Sequence, residues 1–456
     1  MRVPEGLTCR YQLVLTALRP SSLSKTTTKG NDVVHNKRGA GGTSPSATRV
    51  GVVVLAAAAL VLSGCSGGAP DAQPTESGDE IVVWATDDRI TALQETAAKF
   101  TEDTGTKVVF VEKSYEDLRD DFMTQVPTGE GPDVMASAGG DWVNQFAENG
   151  VAAPIELGEK TAAFTPAALA SFTVNGQPYG VPSSTENIGL VRNTALAPDA
   201  PTSWDDMMET GKALVAEGKA KYPIIIQQDP TVGDPYHLYP IQSSFGSHVY
   251  GRDADGDYVE SDLSLGGAEG EAFATFLGEL GSEGIIRSTI SYDIAMEAFQ
   301  NGESPFIITG PWATPGFTEA GLDVAVGPIP SAGGEVSQVF LDVQGWVVSA
   351  KSDNPLSANN FVVNYIGDKD VQISIFQAGG RPPALIEALE DPIVADDPIV
   401  SGFAEAGENG EPGPSFPWME TVWSDWGAAQ IAIIEGKGDP VEIWDTMVTN
   451  LKEKIG

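Results

Sequence analysis

The sequence predicts an α/β protein built on parallel sheet. Three observations carry that expectation. Short β-branched runs alternate with segments of helical spacing, glycine closes the first helical segment, and a hydrophobic content of 41% with 20% charged residues is ordinary for a folded domain. Residues 80–85, EIVVWA, form the first strand. ITALQETAAKFTEDTG follows with Leu93, Ala97 and Phe100 on one helical face and Gly105 at its close. TKVVFVE is the second strand, YEDLRDDFMTQV the second helix, and PDVMAS the third strand before DWVNQFAENG. FTVNGQPYGVP carries an Asn-Gly turn between extended runs, a strong hairpin signal. Helices recur in YDIAMEAFQNG and in the closing pair TVWSDWGAAQIAIIEG and PVEIWDTMVTNLKEKI.

At 456 residues the chain has room for two or three domains of roughly 150 residues, so its core needs no disulfides. Sixty-four acidic residues against 26 basic ones give a formal charge of −38, which argues against a sequence-independent grip on nucleic acid or anionic lipid. Three His and two Cys are too few for a structural zinc site, and no other metal or cofactor is expected.

Residues 50–64, VGVVVLAAAALVLSG, follow Arg49 as an uncharged apolar run of signal-peptide length. The ending Leu62-Ser63-Gly64-Cys65 resembles a bacterial lipobox, in which the cysteine is diacylated and becomes the first mature residue. Residues 1–64 are therefore expected to be a lipoprotein leader, and the first 32 read unlike a signal start, so initiation is expected near Val33 or Val34. Residues 65–79 read as a flexible tether rich in Gly, Ser, Pro and acids. Cys9 falls in the doubtful start, so the folded body is expected to contain no thiol. The expected location is the outer face of a bacterial cell membrane.

Beyond the tether, AAKFTEDTGTKV, GPDVMAS, NGQPYGVP, DIAMEAFQNGESPFIITGPWA and the closing helix pair occur in an order and spacing that resemble the extracellular solute-binding proteins of carbohydrate ABC importers, of the maltose and maltodextrin type (family 1). The resemblance runs from about Glu80 to Gly456. It implies a two-lobe periplasmic-binding-protein-like fold, with hinge crossings near residues 185–190, 325–330 and 386–392. The first lobe would hold residues 80–186 and 329–388, the second 187–328 and 389–456, with the sugar in the cleft between them.

A sugar presents hydroxyls that donate and accept, and flat C–H faces, so its site needs aromatic plates and planar polar groups. Asp88 and Arg89 follow the first strand, where an open α/β sheet places its ligands; the bland alternative is that Asp87 or Asp88 caps the next helix. They match the family's first-loop acid and base, with Arg for Lys. Asp141 occupies the family's sugar-binding carboxylate position, and Trp142 stands where the family has Arg. Glu186 matches the hinge-region carboxylate, with Arg192 as its candidate structural partner. Asp234 and Tyr236 in DPYHLYP fit the second-lobe loop, against the alternative of a proline-stiffened turn. Trp312 follows a strand and Gly310-Pro311. Trp423 shares a helical stripe with Met419, Val422 and Trp426, and family position makes Trp423 the platform and Trp426 packing. Arg381 in QAGGRPPAL either reaches the cleft or is a solvated loop residue.

The segment DADGDYV resembles the start of a calcium loop, but its sixth position is Tyr258 and its twelfth Ser264, so a hairpin turn is expected. Walker A, H-E-x-x-H and G-x-S-x-G motifs are missing. The expected function is a monomeric, lipid-anchored binder of maltodextrin-like oligosaccharides that serves the transmembrane subunits of an ABC permease and is not an enzyme. The alternatives are a binder of trehalose or another oligosaccharide and, from another class, a secreted glycoside hydrolase. A hydrolase needs two carboxyls flanking one scissile bond, about 5 to 10 Å apart.

Overall fold

The computed structural model describes residues 80–254 and 256–456. The leader, the tether, Cys9 and the expected lipidation site Cys65 lie outside the described residues. Among those described, no helix is long and apolar enough to cross a membrane.

The opening alternation forms as its pattern dictates. Strand β1 (Glu80–Ala85) leads to helix α1 (Asp87–Thr104), which turns Leu93, Ala97 and Phe100 inward. Thr86, not an aspartate, holds the N-cap position of α1, and Asp87 and Asp88 lie in its first turn. Strand β2 (Lys107–Glu112), helix α2 (Tyr115–Gln125), strand β3 (Val134–Gly139) and helix α3 (Val143–Glu148) follow. Strands β4 (Thr173–Val174) and β5 (Gln177–Pro178) make the expected hairpin, with Asn175 at φ 52° and Gly176 at φ 83°. Both central residues of a tight type I′ turn need that left-handed backbone, which Asn and Gly adopt most easily.

Strand β6 (Gly180–Glu186) runs almost directly into β7 (Gly189–Asn193). There follow α4 (Trp204–Ala216), β8 (Ile225–Ile226), α5 (Pro235–Ser243), β9 (Tyr250–Arg252), β10 (Tyr258–Leu263), α6 (Gly267–Ser282), α7 (Tyr292–Gln300), β11 (Phe306–Thr309) and β12 (Val324–Gly327). The chain continues through β13 (Phe340–Val348), α8 (Lys369–Gly379), α9 (Pro398–Ala406), β14 (Glu411–Pro412), α10 (Met419–Ile434) and α11 (Pro440–Ile455). The calcium-like segment connects antiparallel β9 and β10, and no metal-holding group of side chains occurs among the described residues.

Two main sheets organise these elements. One has the order β14-β13-β3-β1-β2, with β6 also paired to β13; the other has the order β12-β7-β11-β8. Strands β1, β2 and β3 are parallel, as the βαβ pattern requires. Strands β8 and β11, and β13 and β14, are parallel as well, but the expectation of parallel sheet does not hold throughout. Strand β13 runs antiparallel to β3 and β6, and β7 runs antiparallel to β11 and β12. The reason is the route of the chain: β7 and β13 enter after a change of sheet, without the crossover helix that forces parallel pairing.

That passage from β6 to β7 is pinned. Buried Asn187 donates to the carbonyls of Ile188 at 3.1 Å and Phe403 at 3.0 Å, which ties the passage to α9. Helices α1 and α8 pack together beside the first sheet, α9 packs on β12, and α6, α10 and α11 pack on one another. Trp346, Trp426 and Trp444 are fully buried, each removing a large apolar surface from water. Trp84 and Trp204 are nearly so, whereas Trp142, Trp312, Trp418 and Trp423 are only half-buried against the core.

Candidate functional site

The ends of β1, β3, β6 and β11 all lead into one polar and aromatic region, the position at which open α/β sheets bind ligands. At the end of β1, Asp88 accepts from the Thr86 hydroxyl at 2.5 Å and pairs with Arg381 at 3.3 Å. Arg89 turns the other way. It is 1% exposed and donates to Ser184 at 3.1 Å and Gln344 at 3.2 Å, which puts it behind the site and not on its wall. Burial lowers its guanidinium to about 10, with Asp88 opposing the shift. Ser137, whose hydroxyl lies 3.4 Å from Arg89 Nε, is a non-glycine residue at φ 59°, a strained backbone held in place beside the site.

Arg381 connects the acids, and its expected alternative as a solvated loop residue does not hold. Its side chain is 12% exposed, donates to Glu186, pairs with Asp88 and lies over the Trp312 ring at 5.2 Å. Glu186 is buried and accepts a further bond from Gln344 at 3.0 Å. Its partner is thus Arg381. Arg192 donates instead to the carbonyls of Ala197, at 2.5 Å, and Pro198, at 2.6 Å. Burial pushes the Asp88 carboxyl up, but Arg89, Arg381 and the Thr86 hydroxyl outweigh it and hold the group below the usual carboxylate range. For Arg381 the loss of solvation is likewise outweighed, here by Glu186 and Asp88.

Asp141 and Trp142 open the turn after β3. Asp141 is wet at its own surface yet surrounded by the walls of the region. The lost solvation pushes its carboxyl up to about 6, with Arg119 opposing. Asp342 on β13 is driven well above the usual range by burial and by its neighbours Asp141 and Glu186. Sequence reasoning missed Asp342, although an acid inside the apolar strand FLDVQGWVV was a usable signal. It also missed Tyr115, which opens α2 and lies 5.2 Å from the Trp142 ring. Burial, then Asp342 and Glu186, hold the Tyr115 hydroxyl firmly protonated.

The other wall comes from α5, the end of β11, and α10. Tyr236 has a buried hydroxyl without a protein partner, and its proton is held by burial and by Glu186 and Asp342. Asp234 caps α5, and both of its oxygens already accept hydrogen bonds. Trp312 folds back over Gly310, where an added Cβ would lie 1.9 Å from the ring; only glycine permits that approach. Trp423 meets Phe340 edge-on at 5.7 Å and stacks on Trp426 at 5.1 Å. Trp426 is buried and donates to Gln242 at 2.9 Å, so within the pair Trp423 is the half-exposed member. Arg119 on α2 pairs with Glu420 on α10 at 2.6 Å, joining the two walls.

Chemically, the region combines acceptors, protonated tyrosyl donors, a guanidinium and aromatic faces. Such a lining suits a neutral, hydroxyl-rich solute, while its surplus of carboxylates opposes an anionic one.

Comparison with known proteins agrees with this architecture. The galactooligosaccharide-binding protein of Bacillus subtilis is 24% identical over 88% of this chain and 96% of that protein. A maltooligosaccharide ABC transporter solute-binding lipoprotein of Streptococcus pneumoniae is 24% identical over 89% of this chain and 96% of its own length. The structure of Thermus thermophilus maltotriose binding protein bound with maltotriose superposes with a TM-score of 0.75 at 29% identity, covering 82% of this chain and 100% of that one. This likeness establishes the two-lobe binding-protein fold expected from the sequence. The family model for bacterial extracellular solute-binding proteins matches residues 95–402. The chain belongs to the bacterial extracellular solute-binding protein family.

Proposed function

We propose that this chain captures a maltodextrin-like oligosaccharide between two lobes and delivers it unaltered to the membrane subunits of an ABC permease. The observation that carries the reading is the convergence of Trp142, Trp312 and Trp423 with Asp141, Glu186 and Asp342 around one region fed by both sheets. The names of the relatives, which bind malto- and galacto-oligosaccharides, support the same ligand class. The lobes are residues 80–186 with 329–388, and 187–328 with 389–456. They close about the β6–β7 passage and its companions, and ligand favours closure only through contacts that the open form lacks. The protein works as an extracytoplasmic monomer, anchored by lipid on Cys65.

Hydrogen bonds to charged groups contribute about 1.5 to 3 kcal/mol each. A few of them plus ring stacking, less the ordering terms, leave about −8 kcal/mol, or micromolar binding. Calorimetric titration with maltose, maltotriose, trehalose and a β-linked disaccharide tests the reading: micromolar heat with an α-linked oligosaccharide is expected, and silence with all four refutes it.

One observation gives the hydrolase reading its standing. The raised carboxyls of Asp141 and Asp342 are what a general acid would need. Incubation with maltotetraose separates the two: intact sugar after many hours supports binding, and shorter products support hydrolysis.

A further inference from the structure

At the amino terminus of α5 the acid that occupies the expected sugar-binding position is already engaged. Asp234 Oδ1 accepts from the backbone N–H of His237 at 3.0 Å and lies 2.9 Å from its ring Nδ1, and Oδ2 accepts from Gln227 Nε2 at 2.8 Å. A carboxylate offers only acceptors, so each atom facing it must be a donor. The His237 ring therefore carries its proton on Nδ1, and Gln227 turns its NH2 group inward. Two acceptors are left pointing away, His237 Nε2 and Gln227 Oε1. Both are buried and have no protein partner, and His237 as a whole is 5% exposed. The ring stands perpendicular to Trp312 at 6.2 Å and lies 5.3 Å from Tyr236, whose buried hydroxyl is also unpartnered.

A buried polar atom that has given up water without gaining a partner is unfavourable, so such a cluster calls for a donor from outside the chain. We infer that His237 is a specificity-determining residue whose Nε2 accepts a hydrogen bond from a ligand hydroxyl, and that Asp234 is a positioning residue that fixes the tautomer. The inference rests on the oligosaccharide reading. In it Gln227 Oε1 is a second acceptor and Tyr236 the neighbouring donor, so this wall selects a solute that presents hydroxyl donors beside a flat ring face. A ligand lacking such a hydroxyl leaves these acceptors bare and is rejected.

The test titrates wild type, His237→Phe and His237→Gln with maltotriose and, in parallel, with a galacto-oligosaccharide. It also records the ring nitrogen shifts of wild-type His237 by NMR with and without sugar. Glutamine carries an acceptor at the reach of Nε2, whereas phenylalanine keeps only the packing. The inference expects at least a tenfold loss of affinity in His237→Phe, retention within about threefold in His237→Gln, a proton on Nδ1, and a shift of Nε2 on binding. Wild-type affinity in His237→Phe, a proton on Nε2, or an Nε2 shift unmoved by a bound sugar overturns it. If His237→Phe does not fold, the wild-type NMR pair decides alone. If wild type binds neither sugar, the oligosaccharide reading itself has failed, and this inference with it.

Discussion

Replacement of Arg381 by methionine removes one charge from the centre of the site and leaves its length and packing largely in place. Arg381 is the partner of Glu186, which is 8% exposed, and of Asp88, whose side chain is 29% exposed. Removing one member of a buried pair is unfavourable by about 3 to 5 kcal/mol because the remaining charge is stranded. Glu186 keeps its bond from Gln344, which argues for the lower end of that range. The Asp88 arm, screened by solvent, adds at most about 1 kcal/mol, and the contact with Trp312 adds about 0.5 to 1. The expected loss is therefore about 3.5 to 5 kcal/mol, read as the midpoint shift in urea unfolding followed by far-UV circular dichroism at an unchanged slope. The double variant Arg381→Met, Glu186→Gln no longer buries an unpaired charge and should regain about half of the loss or more. A single variant within about 1 kcal/mol of wild type, or a double variant worse than the single, would refute the assignment of Arg381 as the neutralising partner.

Three further outcomes are expected. Trp312→Ala should weaken oligosaccharide binding at least tenfold with little change in the unfolding midpoint; an unchanged titration curve removes Trp312 from the site. Glu420→Gln breaks the pair with Arg119, and with Glu420 58% exposed the effect should be no more than about fivefold in affinity and should fade in 1 M salt. Asp141 and Asp342 hold their protons more tightly when folded than when unfolded, so between about pH 4 and the folded value of about 6 for Asp141 the folded state binds more protons. Their contribution to stability is therefore lost as pH rises through that window. Asp342→Asn should flatten that part of the melting-temperature profile, and an unchanged slope would count against the raised carboxyls.

Local pattern accounts for what could be read early. EIVVWA, TKVVFVE and PDVMAS became strands because their residues are β-branched or apolar and the segments between them are helical; no distant partner was needed. The Asn175-Gly176 hairpin was legible for the same reason, since the turn chemistry lies within two residues. Strand direction was not. Whether β7 and β13 run parallel or antiparallel depends on a change of sheet that no local period encodes. The site divides in the same way. Trp312 could be picked out because Gly310 precedes it, but the partner of Glu186 could not: Arg192 is close in sequence, whereas Arg381 is brought there by tertiary pairing. Asp342 was hidden inside an apolar strand, and its meaning depends on Asp141, which reaches it through the pairing of β13 with β3. Asp234 could be singled out as a candidate site acid, but its engagement by Gln227 and His237 was not legible.

The proposed role is the capture of an uncharged oligosaccharide, uncut, between two walls of aromatic rings and carboxylates. Isothermal titration of the purified protein with maltotriose, followed by chromatography of the recovered sugar, tests it most directly. A single saturable transition in the micromolar range, with maltotriose recovered intact, is expected; a flat titration, or glucose and maltose in the recovered fraction, would overturn the proposed role.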